Sequence, residues 1–379
     1  MKLKFLLILI VLLMVSACTE SITLPAERTT PTVTESLAQP SNVVGQHSLE
    51  ASTPVNTQVS TSTSTPTFTP EPPTTTPTPG NLETFSYNGL YPGVLPVQYI
   101  EDPCIYLENR WGEGKSAPGT IVVPIMFHSV AKPGRDITDS TTISMAYFEY
   151  FMNFAEEMGF STITVNELIG FLKNNEEIPE HSMLLILDDR RPGVTELFIP
   201  YLEANDWTLT LGWPTTDGTN DSLWARMEGL ADSGRLDVQS HGHNHIYIQD
   251  YTPLEAIEEE IYRPIEIIQE HFGTPPEAII WPGGNFTQQS VEIAREAGFE
   301  VGFTVYSRGP LLFNWIPLGE QETAVGDPLM VLPRFWSTAA DNALRDALEI
   351  SEAAREAALA VRSDELAYYE TYCQPVGND

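Results

Sequence analysis

MLLILDD, Met183–Asp189, is an unbroken apolar run that ends on two adjacent carboxylates. Such a run, with no polar alternation, predicts a strand covered on both faces, inside a parallel sheet flanked by helices. IVVPIMF, Ile121–Phe127, has the same character and ends at His128. Leu236–Ser240 ends at His241, and Ala278–Trp281 ends at the turn Pro282-Gly283-Gly284. Further strands are expected at Ser161–Val165, Thr208–Trp213, Val301–Tyr306 and Met330–Phe335, with Asn166 capping the helix after the first of these. Helical spacing fills the intervals. Phe148, Phe151, Phe154 and Met158 form one stripe before the stop at Gly159, and Ile257, Ile261, Ile265 and Ile268 form another.

Repeated strand–helix units imply an α/β fold with a mostly parallel sheet. The chain lacks a dinucleotide-binding glycine fingerprint, which favours an irregular (β/α) barrel of seven or eight mostly parallel strands over an open sheet. In barrels the chemistry gathers where the strands end. His128, Asp188-Asp189, His241–His245 and the Gly283 turn all follow strands, which is where a barrel enzyme would carry its functional groups.

The 379 residues hold 19 Lys and Arg against 52 Asp and Glu, a formal charge of −33. Nucleic acid is excluded as a partner, because phosphate backbones are held by clustered cations. Lys2, Lys4 and the apolar run Phe5–Val15 form a secretory signal peptide over residues 1–17. Its end, Val15-Ser16-Ala17-Cys18, resembles a bacterial lipobox. That resemblance implies a lipidated Cys18 and membrane anchoring on the extracytoplasmic side of a bacterial cell. Residues 18–83 read as a disordered linker, since about three-quarters of positions between Ala51 and Gly80 are Thr, Ser or Pro. Residues 84–379 are the folded domain, ending in a helix over Asp341–Tyr369. Cys104 and Cys373 flank that domain. In an exported protein a disulfide would staple its ends, the alternative being two buried free thiols.

Three of the seven histidines fall in SHGHNH, Ser240–His245. Two carboxylates at a barrel mouth repel each other unless a cation lies nearby. A metal between Asp188-Asp189 and the histidines explains both groups together, since imidazoles plus one carboxylate suit Zn²⁺ with positions left open.

Over Ile121–Phe335 the sequence resembles the polysaccharide deacetylases of the NodB-homology type, carbohydrate esterase family 4, whose fold is a deformed TIM barrel. The residues that carry the resemblance are Phe127-His128, LLILDD, the H-x-x-x-H pattern His241–His245, and the WPGG turn. The resemblance implies that Asp189, His241 and His245 bind Zn²⁺ or another divalent transition metal, and that Asp188 is the general base. Metal-bound water would then attack the acetyl carbonyl of an acetylated cell-surface polysaccharide, N- or O-linked. The Gly283 amide would support the oxyanion and Arg334 would hold Asp188. No histidine follows His271, where many members carry a late histidine acid; resemblance to members whose first strand ends in Tyr-His or Phe-His implies that His128 is the acid instead, the alternative being a packing role beside the site. His243 would be a spectator.

Two departures stand out. Arg190 replaces the glycine that usually follows the acidic pair, and Gly242 replaces the usual Ser or Thr after the first histidine. Arg190-Arg191 suits an acidic sugar, compensation of the carboxylates, or a narrowed cleft. The last keeps a second reading open, a catalytically weakened glycan-binding module on a lipid-anchored stalk. A purely structural surface protein would leave the acidic pair and histidine pattern accidental. Trp207, Trp213, Trp281 and Trp336 are candidate sugar-stacking faces.

Overall fold

The computed structural model describes residue 82 and residues 84–374. The signal peptide, Cys18, residues 375–379 and all but residue 82 of the linker lie outside the described residues. Nine strands form the main sheet. Setting aside the two-residue strands Ser161–Thr162 and Leu311–Leu312, seven parallel strands remain. They are β1 (Ile121–Phe127), β2 (His181–Asp188), β3 (Leu209–Trp213), β4 (Leu236–Ser240), β5 (Ala278–Ile280), β6 (Val301–Phe303) and β7 (Phe335–Trp336). Their order is β6-β5-β4-β3-β2-β1, with β7 beside the end of β1. Leu311–Leu312 pairs antiparallel with the start of β1. The sheet is curled and mostly parallel, as expected for the deformed barrel.

One short segment joins its two edges. Leu332 bridges Phe303 of β6, and Phe335 pairs with Ile125 of β1. The expected strand Met330–Phe335 is therefore broken, with a 3₁₀ turn over Pro328–Met330 and only two residues of true strand. Pro328 and Pro333 donate no N–H, which prevents a continuous ladder there. A second local difference concerns the Asn166 cap. Thr164 caps Val165–Asn174 instead, because Thr164 and Glu167 form a reciprocal capping box.

Alternation along the buried strands sorts side chains between two cores. Ile121, Val123, Ile125 and Phe127 of β1, with Met183, Leu185 and Leu187 of β2, pack with the helices Met145–Glu157, Pro192–Asn205 and Ala340–Tyr372. Val122, Leu184 and Ile186 join Ile280, Trp281, Phe303 and Leu332. Asp188 follows Leu184 and Ile186 by the period of two, so its carboxylate points to the same interior.

Cys104 and Cys373 are joined by a disulfide, with Cα atoms 5.3 Å apart and a sequence separation of 269. Cys104 lies in the helix Pro103–Trp111, which packs on Ala340–Tyr372. Buried Glu365 reinforces that contact, accepting from Trp111 Nε1 at 2.6 Å and lying 3.1 Å from Arg110 Nε. A cross-link over so long a loop restricts the unfolded chain. Replacing both cysteines with serine should lower unfolding free energy by about 2–4 kcal/mol in denaturant titration while preserving the folded circular dichroism spectrum.

Candidate active site

The ends of β1, β2, β4 and β5 converge at one mouth of the barrel. Asp188, the last residue of β2, is buried. Gly212 of β3 lies opposite it in register, and a Cβ there would stand 3.1 Å from Asp188 Oδ1. Arg334 Nη1 donates to Asp188 Oδ1 at 2.7 Å, and Arg334 Nε donates to Thr304 O at 2.6 Å. Asp188 Oδ2 remains directed at the mouth, 3.6 Å from His128 Nε2 and 3.9 Å from His241 Nε2. Burial pushes the Asp188 carboxyl up, but the charges of Arg334, His241 and His128 together outweigh it and hold the pKa at about 2. His128 is lowered as well, for a different reason. Burial lowers it below the usual histidine range, with Asp188 opposing.

Asp189, His241 and His245 offer ligand atoms that all lie within 4.8 Å of one another. His245 Nε2 is 3.1 Å from His241 Nε2 and 3.5 Å from Asp189 Oδ1. His241 Nδ1 lies 2.7 Å from Ile280 O, an acceptor, so it carries the proton and leaves the Nε2 lone pair facing the cluster. Burial lowers His241 to about 4, which favours the neutral, ligating form. The donor set and its tautomer fit a divalent transition metal. Asp189 and His245 both adopt left-handed backbone, φ 71° and 58°, which non-glycine residues visit rarely. Two of the three ligand positions are thus locally strained, and strain of this kind persists where the surrounding structure enforces it.

Glu260, in the helix Leu254–Phe272, supplies part of that enforcement and was not singled out from sequence. Its carboxylate accepts from His243 N at 3.0 Å and Asn244 N at 2.5 Å, holding the loop between the two histidine ligands. Gly242 makes the approach possible, because a Cβ at that position would collide with the Glu260 carboxylate. At Gly242, where Ser or Thr is usual, the loop is therefore supported by a carboxylate from a neighbouring helix. An acidic residue on the apolar stripe of that helix, one residue before Ile261, was the available signal. His243 turns away from the cluster, with Nδ1 2.9 Å from Thr215 Oγ1.

The two arginines after the acidic pair are both engaged. Arg190 Nη1 donates to Thr219 Oγ1 at 2.7 Å. Arg191 takes Asp189 Oδ2 with Nε at 3.2 Å and Nη2 at 2.7 Å, and reaches Ser129 Oγ at 2.7 Å through Nη1. Asp189 Oδ1 is left for the cluster. Gly283, in left-handed backbone at φ 62°, packs under the ring of Tyr247, which would lie 2.9 Å from a Cβ there. Trp207, Trp213 and Trp281 are core residues, 3%, 0% and 0% exposed, because their rings fill the layers beneath the strands. They offer no stacking faces. Trp336 alone of the four reaches the mouth, its ring stacked on His128 at 6.0 Å and 12°.

The buried Arg334–Asp188 pair gives a direct test. Arg334→Leu leaves Asp188 uncompensated, and loss of one partner of a buried pair destabilises by about 3–5 kcal/mol. In the parent, Asp188 is depressed from an ordinary carboxyl value. Its contribution is present above about pH 4 and lost as pH falls toward 2. In Arg334→Leu, with burial unopposed by the guanidinium, acid unfolding should begin at higher pH. Denaturant titrations between pH 3 and 7 would measure both effects, and unchanged stability would remove Arg334 from this role.

Residues 175–302 match the family model described as Polysaccharide deacetylase. YxkH of Bacillus subtilis strain 168, which carries a polysaccharide deacetylase name, is 20% identical over 182 residues, 48% of this chain. The alignment spans 63% of that protein. The deacetylase PplD of Streptococcus pyogenes, solved with acetate, superposes with a TM-score of 0.51 at 16% identity, covering 61% of this chain and 99% of its own. A polysaccharide deacetylase from Bacillus cereus gives a TM-score of 0.47 at 19% identity, covering 60% and 69%. PplD shares the fold, and the matched stretch holds Asp188, Asp189, His241, His245 and Gly283. Residues 175–302 are thus similar to the polysaccharide deacetylase family, on a fold shared with PplD.

Proposed function

We propose that the domain is a divalent-metal-dependent hydrolase that removes acetyl groups from N-acetylated or O-acetylated cell-surface polysaccharide. The observation that carries this reading is the position of Asp188 Oδ2, between His128 and His241 and beside the Asp189–His241–His245 cluster. Zn²⁺ or a similar ion held by that cluster would activate water at neutral pH and polarise the acetyl carbonyl. Asp188 accepts the proton of the attacking water. Its low pKa keeps it ionised at neutral pH, and Arg334 holds one oxygen so that the other faces the substrate. His128 donates to the leaving nitrogen or oxygen from the opposite side of Asp188. The Gly283 N–H supports the developing oxyanion. Arg190 donates to Thr219 Oγ1, a contact that supports the hydrolase reading over that of a closed, non-catalytic module.

The protein is further proposed to be exported and lipid-anchored through Cys18, with the Thr/Ser/Pro stretch carrying the domain away from the membrane. The disulfide supports export, since such bonds persist in oxidising compartments. Mass spectrometry of the mature N-terminus tests the anchor: an unmodified chain beginning elsewhere would remove it.

Acetate release from chitooligosaccharides and acetylated xylan, with and without added Zn²⁺, tests the activity. Release should depend on the metal. Asp188→Asn and His128→Ala should each lower kcat by a factor on the order of 10²–10⁴ with metal content retained. Near-normal turnover of His128→Ala would take the acid role from that residue, and metal-loaded protein inert on both substrates would count against the deacetylase.

A further inference from the structure

The loop of residues 214–220, between β3 and the helix Asp221–Ala231, has no role in the reaction proposed above, yet it is tied to both halves of the ligand cluster. On one side it meets the histidine loop. Thr215 N donates to Gly242 O at 3.2 Å, Thr215 Oγ1 lies 2.9 Å from His243 Nδ1, and Thr216 Oγ1 donates to Asn244 Oδ1 at 3.2 Å. On the other side Arg190 Nη1 donates to Thr219 Oγ1 at 2.7 Å, and that hydroxyl donates on to Thr216 O at 2.9 Å. Gly218, in left-handed backbone at φ 78°, turns the chain between Thr216 and Thr219.

Arg190 immediately follows the ligand Asp189, and Asn244 immediately precedes the ligand His245. Those two ligands are the ones in left-handed backbone. Each therefore has a neighbour whose side chain is anchored on the same loop. A continuous protein path, Asp189–Arg190–Thr219–Thr216–Asn244–His245, joins the two ligands without passing through a metal. The glycine that usually follows the acidic pair has no side chain with which to reach Thr219. Arg190 itself lies outside the left-handed region, so the longer residue adds no backbone strain. Ligands held in place by their own chain lose less freedom when an ion binds, and affinity is higher for that reason.

We propose that Arg190 is a positioning residue: through Thr219 and the loop of residues 214–220 it fixes Asp189 and His245 relative to each other, so that the metal site is assembled before the ion arrives. The inference rests on the metal-dependent reading and gives Arg190 a part in that site. Its part differs from that of Arg191. Arg191 orients the Asp189 carboxylate directly, whereas Arg190 holds the turn that carries it.

The test is a double-mutant cycle on Zn²⁺ affinity, measured on the full chain by competition with a chromophoric chelator. Arg190→Met keeps the aliphatic stem and removes the donor, and Thr219→Val keeps the shape and removes the hydroxyl. Each should weaken Zn²⁺ binding roughly tenfold. Both break one path, so the double variant should match either single variant within about twofold. Thr219→Ser, which retains the hydroxyl, should bind like the parent. Unchanged affinity in Arg190→Met, or losses that multiply in the double variant, would overturn the proposal. Should Arg190→Met fail to fold, Thr219→Val and Thr219→Ser, on a partly exposed turn, carry the same comparison.

Amide hydrogen exchange of the metal-free proteins separates failure of this inference from failure of the metal reading. Arg190→Met should speed exchange severalfold at His243 and Asn244, whose N–H groups donate to Glu260, because the loop loses its outer support. If the parent takes up no Zn²⁺, the metal-dependent reading is what fails, and exchange alone decides the brace. Faster exchange in the variant then sustains it, and equal exchange sinks it.

Discussion

Arg334 has no exposed surface, and its guanidinium reaches from Thr304 O, just past β6, to Asp188 Oδ1 at the end of β2. It sits on the segment that joins the two edges of the curled sheet. Closure of the barrel and placement of the proposed base therefore depend on the same side chain. A buried guanidinium is expensive without partners, and a buried carboxylate equally so. Each resolves the other's desolvation, and the geometry that does so leaves one carboxylate oxygen aimed at the mouth. Loss of the segment that links Phe303 of β6, through Leu332, to Ile125 of β1 would leave both charges stranded.

The histidine loop shows the same logic at smaller scale. Asp189 and His245 hold left-handed backbone, an arrangement a free chain would relax. Arg191 holds one oxygen of Asp189, and Glu260 accepts backbone N–H groups between His241 and His245. Glu260 is itself buried, and burial pushes its carboxyl up while the backbone N–H groups pull it down. The ligand atoms thus meet because residues outside the cluster restrain the chain. Glu260 lies on a helix that contributes nothing directly to the proposed chemistry.

Much of this is legible in the order of residues alone. Continuous apolar runs at Ile121–Phe127 and Met183–Leu187 can only be strands covered on both sides, and the polar residues after them mark the mouth. What local pattern could not give was the closing segment. Met330–Phe335 is apolar enough to suggest a strand, yet Pro328 and Pro333 break it into a turn and a short ladder, a competition decided by missing N–H donors. Likewise, four tryptophans look equivalent in a linear sequence, and only packing separates the three in the core from the one beside His128.

The sequence by itself determined the strand–helix alternation, the strand ends that carry Asp188, Asp189, His241 and His245, and the cysteines available to pair. These follow from periodicity and residue chemistry, which are local. Tertiary structure decided that Arg190 turns to Thr219, that Arg191 takes one oxygen of Asp189, that Glu260 supports the loop, and that Trp336 stacks on His128. Each of those is a meeting of residues distant along the chain or a choice of side-chain direction. Such meetings are set by how the barrel curls, because curvature, and no local propensity, determines which strand ends come within reach.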